Sequence, residues 1–167
     1  MKDSLLPDAL VNKAREVVEA NRALGRRIAV AESCTGGLVS AALTEIAGSS
    51  DVFEAGYVTY SNAAKLSQLK VSEDVVDTFG AVSVATAWAM ARGALAASDA
   101  DIAVAITGIA GPGGGTAQKP VGTVVFARAE RGADPAQIVA DNKHFDEQTR
   151  SGVRFQAALC ALELLMP

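Results

Sequence analysis

The run Arg27-Ile28-Ala29-Val30-Ala31-Glu32-Ser33-Cys34-Thr35-Gly36-Gly37-Leu38 decides how this chain folds. Residues 27–31 are short, β-branched and apolar, as in a buried strand. Residues 32–37 make a tight polar turn, and an apolar period resumes from Leu38 to Ala47. Strand, turn and helix in that order form the repeating unit of α/β folds.

The same alternation extends in both directions. Upstream, Leu6, Leu10, Val11, Ala14, Val17, Val18 and Leu24 mark one face of a helix over 4–24, with Gly25 as its stop. Downstream, Gly48-Ser49-Ser50-Asp51 closes the helix, and 52–60 reads as a second strand rich in Val, Tyr and Phe. Ser61-Asn62 caps a short helix through Leu69, Ser72 caps another over 73–79, and Ser83 to Ala97 is a long Ala-rich helix. Strands follow at 101–107, 121–129 and 137–145, and a last helix at 148–165. The link 131–135 between the fourth and fifth strands holds no helix, so one sheet edge is expected to be antiparallel. The pattern predicts one domain over 1–167: a three-layer α/β/α sandwich with a mostly parallel, mixed sheet of about five strands.

Composition narrows the function classes. The chain has 167 residues, half of them apolar, enough for a sizeable core. Its net charge of −4 argues against nucleic-acid binding, which favours a basic face. No apolar run reaches the ~20 residues that cross a bilayer. The start Met1-Lys2-Asp3 carries no leader pattern, so a cytoplasmic protein with no membrane partner is expected. Cys34 and Cys160 suggest reduced packing residues, and one histidine is too few for a His-based zinc site. No metal or other cofactor is expected. The Ala-rich helices are compatible with a homodimer interface.

Open α/β sheets bind ligands at the carboxyl ends of their strands. Three loops there carry chemistry: 32–37, 60–65 and 107–120. Ser33 sits between a strand and a helix start, where free backbone amides and the helix dipole can hold an anion or an oxyanion. Taken alone, Ser33 or Thr35 reads as well as a helix cap. No G-x-S-x-G elbow is present, and His144, the sole histidine, lies in the last strand. Lys65 is the candidate base, because a helix start and a desolvated site both disfavour its ammonium form. It reads otherwise as a solvated helix lysine. The glycine-rich 108–116 loop lets backbone approach a ligand but matches neither a P-loop nor a dinucleotide fingerprint. Arg150 and Arg154 share a helix face at (i, i+4), and either suits a phosphate.

Together these segments resemble a known family. A-E-S-C-T-G-G at 31–37, A-G-S-S at 47–50, V-T-Y-S-N-A-A-K at 58–65, G-A-V-S at 80–83, T-G-I-A-G-P-G-G-G at 107–115 and K-P-V-G-T-V at 119–124 are similar, in order, to the CinA C-terminal domain family. The resemblance implies nicotinamide-nucleotide amidase activity: nicotinamide mononucleotide and water give nicotinate mononucleotide and ammonia. It implies Ser33 as nucleophile and Lys65 as general base, with Tyr60 assisting. Ser50, Thr107 and Arg150 match positions linked to substrate binding or catalysis, and the loop including Gly108 lines the nucleotide pocket. Backbone amides near Thr35 and Gly36 are expected to stabilise the oxyanion. Two rival readings are a nucleotide-binding module without turnover and a Ser/Lys amidase for another small amide. Ammonia release from the mononucleotide discriminates among them.

Overall fold

Strand β1 (Ile28–Glu32) is buried along its whole length, and its side chains alternate large and small. In the computed structural model, which describes residues 4–147 and 149–167, that alternation assigns two faces. Ile28 and Val30 enter one core, Ala29 and Ala31 the other. Strand β3 (Ile102–Gly108) repeats the device, with Ile102, Val104 and Ile106 opposite Ala103 and Ala105. This is the two-residue period of a pleated strand covered on both sides.

The larger residues meet α1 (Asp8–Ala23), α2 (Leu38–Thr44) and α6 (Arg150–Leu164), through Leu10, Val17, Leu43 and Leu162. The alanine face receives α5 (Val84–Ala96), whose Ala87, Met90, Ala91 and Ala94 are fully buried. Small side chains on both partners bring helix and sheet close, which explains the alanine content. The ends of α3 (Asn62–Leu69) and α4 (Glu73–Phe79) pack on α5. A Cβ on Gly93 would stand 2.1 Å from the Leu69 carbonyl oxygen, so α5 needs glycine where α3 ends against it.

The sheet order is β2-β1-β3-β4-β5, with β2 at Phe53–Val58, β4 at Thr123–Glu130 and β5 at Ala140–His144. The expected α/β/α sandwich with a five-stranded mixed sheet is thus present. β1 is parallel to both β2 and β3, and β4–β5 forms the expected antiparallel pair. β4 also runs against β3, which the sequence does not signal. The intervening loop contains no helix to carry the chain back for a parallel return.

Some boundaries shift. α1 starts at Asp8 rather than residue 4, with Pro7 before its first turn. α2 stops at Thr44, and a 3-10 turn over Ser49–Asp51 leads into β2. β5 spans five residues rather than the expected 137–145. The predicted start of α6 at 148 and the leader reading on Met1–Asp3 lie outside the described residues. No described helix is long and apolar enough to cross a membrane.

α2 connects β1 to β2 over one face, while α3–α5 connect β2 to β3 over the other. The chain therefore leaves β1 and enters β3 on opposite sides. Their carboxyl ends bound the crevice where open α/β sheets take ligands.

Candidate active site

Ser33 extends β1 by one residue, its N–H donating to the Ile106 carbonyl at 2.9 Å. The turn then reverses through Gly36 and Gly37, at φ 59° and 96°, a region that glycine enters without strain. Two charged side chains hold this turn. Glu32, fully buried, accepts from the amides of Val39 and Ser40 at 2.9 and 3.0 Å and from the Ser40 hydroxyl at 2.7 Å. Arg154 reaches from α6 to donate to the carbonyls of Cys34 and Thr35 at 3.1 and 3.0 Å.

Lys65 lies in the first turn of α3, whose start is capped by the Ser61 hydroxyl on the Ala64 amide at 3.1 Å. It is only 1 % exposed, although its side chain ends in an amine. Its Nζ lies 3.0 Å from Ser33 Oγ, 2.8 Å from the Thr59 carbonyl and 3.3 Å from that of Tyr60. Burial holds its pKa below the ordinary value, with the nearby Cys34 opposing weakly. Among the described residues Lys65 forms no ion pair, so no carboxylate restores the ammonium form. A neutral amine has two hydrogens and one lone pair. The two carbonyls can take the hydrogens, which leaves the lone pair for the Ser33 hydroxyl.

Ser33 and Lys65 open into a cleft of about 210 Å³, also lined by Tyr60, Thr107, Gly108 and Arg150. Thr107 Oγ1 donates to the Ala81 carbonyl at 2.8 Å, joining β3 to the segment that forms the opposite wall. Gly108 is required by packing: a Cβ there would lie 2.8 Å from Val124 and 3.1 Å from Cys34 Sγ. Cys34 also faces the cleft, but burial pushes its thiol up to about 11, so it is protonated at neutral pH. At the mouth, Arg150 donates to the Gly111 carbonyl at 2.8 Å and to the Tyr60 phenol at 2.6 Å.

The structure redistributes several sequence assignments. Tyr60 is 59 % exposed; its carbonyl meets Lys65, but its phenol turns to Arg150 and not to the dyad. The Gly36 amide donates to the Ser33 carbonyl at 3.0 Å, the Leu38 amide to the Thr35 carbonyl at 3.2 Å, and Glu32 takes the amides of Val39 and Ser40, so these four are not free for an oxyanion. Thr35 is fully buried beneath the turn and does not line the cleft. Ser50 sits exposed in the 3-10 turn at the amino end of β2, whereas the cleft is at the carboxyl end. His144 contacts Asp146 and the Val121 carbonyl, away from the cleft lining. Among the described residues no three His, Cys, Asp or Glu side chains cluster as a metal site.

Glu32 was missed as a functional position. A charged residue closing an otherwise apolar buried strand, just before a helix start, is the signal that marks it. The wall at 80–83 carries no such chemical signal; its place comes only from the packing of α5 on the sheet.

The chain is similar to several known proteins. Nicotinamide-nucleotide amidohydrolase PncC of Enterobacter agglomerans is 49 % identical over 148 residues, covering 89 % of this chain and 88 % of that protein. The Pseudomonas putida protein of the same name is 45 % identical over 159 residues, covering 95 % and 96 %. A putative competence-damage inducible protein of Symbiobacterium thermophilum is 51 % identical over 148 residues, but the match spans only 34 % of its length. The crystal structure of competence/damage inducible protein CihA from Agrobacterium tumefaciens superposes with a TM-score of 0.91 at 46 % identity, covering 97 % of this chain and 96 % of that one. The model of the CinA C-terminal domain matches residues 11–167. This chain belongs to the CinA C-terminal domain family.

Proposed function

We propose that this protein hydrolyses the carboxamide of nicotinamide mononucleotide, giving nicotinate mononucleotide and ammonia. The carrying observation is the 3.0 Å contact between Ser33 Oγ and a buried Lys65 amine whose pKa is depressed. The substrate comes from the two relatives named for nicotinamide-nucleotide amidohydrolysis, which match this chain over most of both lengths.

In this reading Ser33 Oγ attacks the carboxamide carbon while Lys65 takes its proton. The resulting ammonium stands beside the developing oxyanion and stabilises it in a desolvated cleft. Collapse of the tetrahedral intermediate breaks the C–N bond as Lys65 returns the proton to nitrogen, and ammonia departs. Water gives a proton to the same amine and attacks the Ser33 ester; Lys65 returns that proton to Ser33 Oγ as the ester C–O bond breaks, and the acid product ionises to the carboxylate. The pyridinium charge of the substrate makes its own carbonyl more electrophilic.

A cleft of about 210 Å³ takes the ring and its amide rather than a whole nucleotide; sites for drug-sized ligands run to roughly 300–1,000 Å³. The phosphate then falls at the mouth, where Arg150 retains guanidinium hydrogens beyond those given to Tyr60 and Gly111. Arg154 is committed to the nucleophile turn.

The test is ammonia release by the purified protein from nicotinamide, its riboside and its mononucleotide. The mononucleotide is expected to give the highest kcat/KM. Tight binding without ammonia would support a binding module instead, and equal turnover of all three would remove the phosphate from recognition.

A further inference from the structure

The carboxyl end of α3 opens onto a second cavity, of about 560 Å³, which shares no lining residue with the cleft of Ser33 and Lys65. Ala89, Gly93 and Ala96 recur along one face of α5 and give it a flat apolar floor. Leu69 of α3 and Val75 of α4 flank that floor. The charged lining is of one sign. It comprises Lys70 and Arg92 and no carboxylate, in a chain of net charge −4. Among the described residues the Arg92 guanidinium has no hydrogen-bond or ion-pair partner, so its N–H hydrogens are unclaimed. Lys70 gives one ammonium hydrogen to the Ser67 carbonyl at 2.9 Å and keeps the others. The Ser72 hydroxyl, which does not cap α4, is likewise unpartnered among the described residues.

Elsewhere on the surface cations meet acids: Lys13, Arg22, Arg27 and Arg128 each pair with a carboxylate. Two cations that line one cavity without an acid favour an anion from outside the chain. A guanidinium fork takes phosphate bidentately, and an ammonium adds a point charge. The small-residue floor admits a planar ring, and the volume falls within the roughly 300–1,000 Å³ of small-ligand sites. We propose that this cavity is a second ligand site, for a nucleotide, whose phosphate lies between Arg92 and Lys70 and whose base lies on the alanine face of α5. Ser72 and Gln68 serve its sugar hydroxyls. The lining holds no histidine, cysteine or carboxylate, so the role assigned is binding alone. No step of the amidase reading enters this inference.

The experiment is calorimetric binding of AMP and UMP to the whole protein, with inorganic phosphate and adenosine as the separate parts. At least one nucleotide is expected to bind, and more tightly than either part. Arg92→Ala should weaken it by about tenfold or more, the worth of a charge-assisted bidentate contact. Lys70→Asn should weaken it less; it removes the charge yet suits the left-handed backbone there, at φ 56°. Ala96→Trp, at an exposed helix position, should fill the cavity and abolish binding. Arg150→Ala, at the other cleft, should leave this affinity unchanged. Circular dichroism confirms that each variant is folded. No binding of either nucleotide at millimolar concentration overturns the proposal. So does binding that survives both Arg92→Ala and Ala96→Trp, or phosphate or adenosine matching the nucleotide. A protein that binds no nucleotide but loses a dimer on Ala96→Trp, by light scattering, assigns the cavity to a second copy instead and also overturns it.

Discussion

Arg150 and Arg154 stand one turn apart on α6 yet grip different loops. Arg150 bridges the Tyr60 phenol and the Gly111 carbonyl at the cleft mouth, while Arg154 holds the carbonyls of Cys34 and Thr35 behind the nucleophile. Arg150→Ala should raise KM for the mononucleotide by about tenfold or more and leave the riboside nearly unchanged. Arg154→Ala should instead lower kcat for both substrates with little change in KM, because it loosens the turn that aims Ser33. Steady-state kinetics on the two substrates check both.

The pH dependence follows from the depressed pKa of Lys65. kcat/KM should rise with pH as the amine loses its proton, along an acid limb whose midpoint lies below the ordinary lysine value of 10.5. Lys65→Arg, which stays protonated, should abolish turnover across the whole profile.

Stability should respond to the same group. Between the folded pKa and the unfolded value of 10.5, the unfolded chain binds more protons than the native protein, so stability rises with pH. Below the folded pKa the charged amine is buried at a cost in both the site and the core around it. Denaturant titrations of wild type and Lys65→Met at neutral and alkaline pH isolate this effect, since other groups cancel in the difference. Wild type should gain on Lys65→Met as pH rises, and a constant difference would contradict the depressed pKa.

Cys34 lies beside the nucleophile, but its thiol is pushed up to about 11 and is only 5 % exposed. Native protein at neutral pH should resist alkylation at Cys34 and react at Cys160 first, which is partly exposed. Cys34→Ala should retain activity within about threefold, because no proposed step uses the sulfur. Peptide mapping after brief alkylation checks the first point, and an ammonia assay the second.

Much of this arrangement is legible in the sequence. The alternation Ile28-Ala29-Val30-Ala31 reports a strand with unequal faces, and the polar turn after it marks the start of a helix. Ser33 and Lys65 are each ambiguous there, because a cap and a solvated lysine have the same local pattern. Their meeting depends on β2 and β1 pairing in parallel, so that the segments following both strands leave the same sheet end. The (i, i+4) spacing puts Arg150 and Arg154 on one helix face, but a rise of about 5.4 Å per turn sends them to different loops. Ser50 is the last residue of a motif similar to the family's yet precedes β2, so chain direction alone puts it at the sheet end away from the cleft. The phenol of Tyr60 could not be aimed from sequence, since its backbone and its ring serve different partners.

The account turns on Ser33 as the attacking group, and ammonia release by purified Ser33→Ala tests that most directly. With nicotinamide mononucleotide in excess, kcat should fall by about a thousandfold or more, to the same floor as Lys65→Met and the double variant, because the two act as one unit. Near wild-type release from folded Ser33→Ala would contradict it.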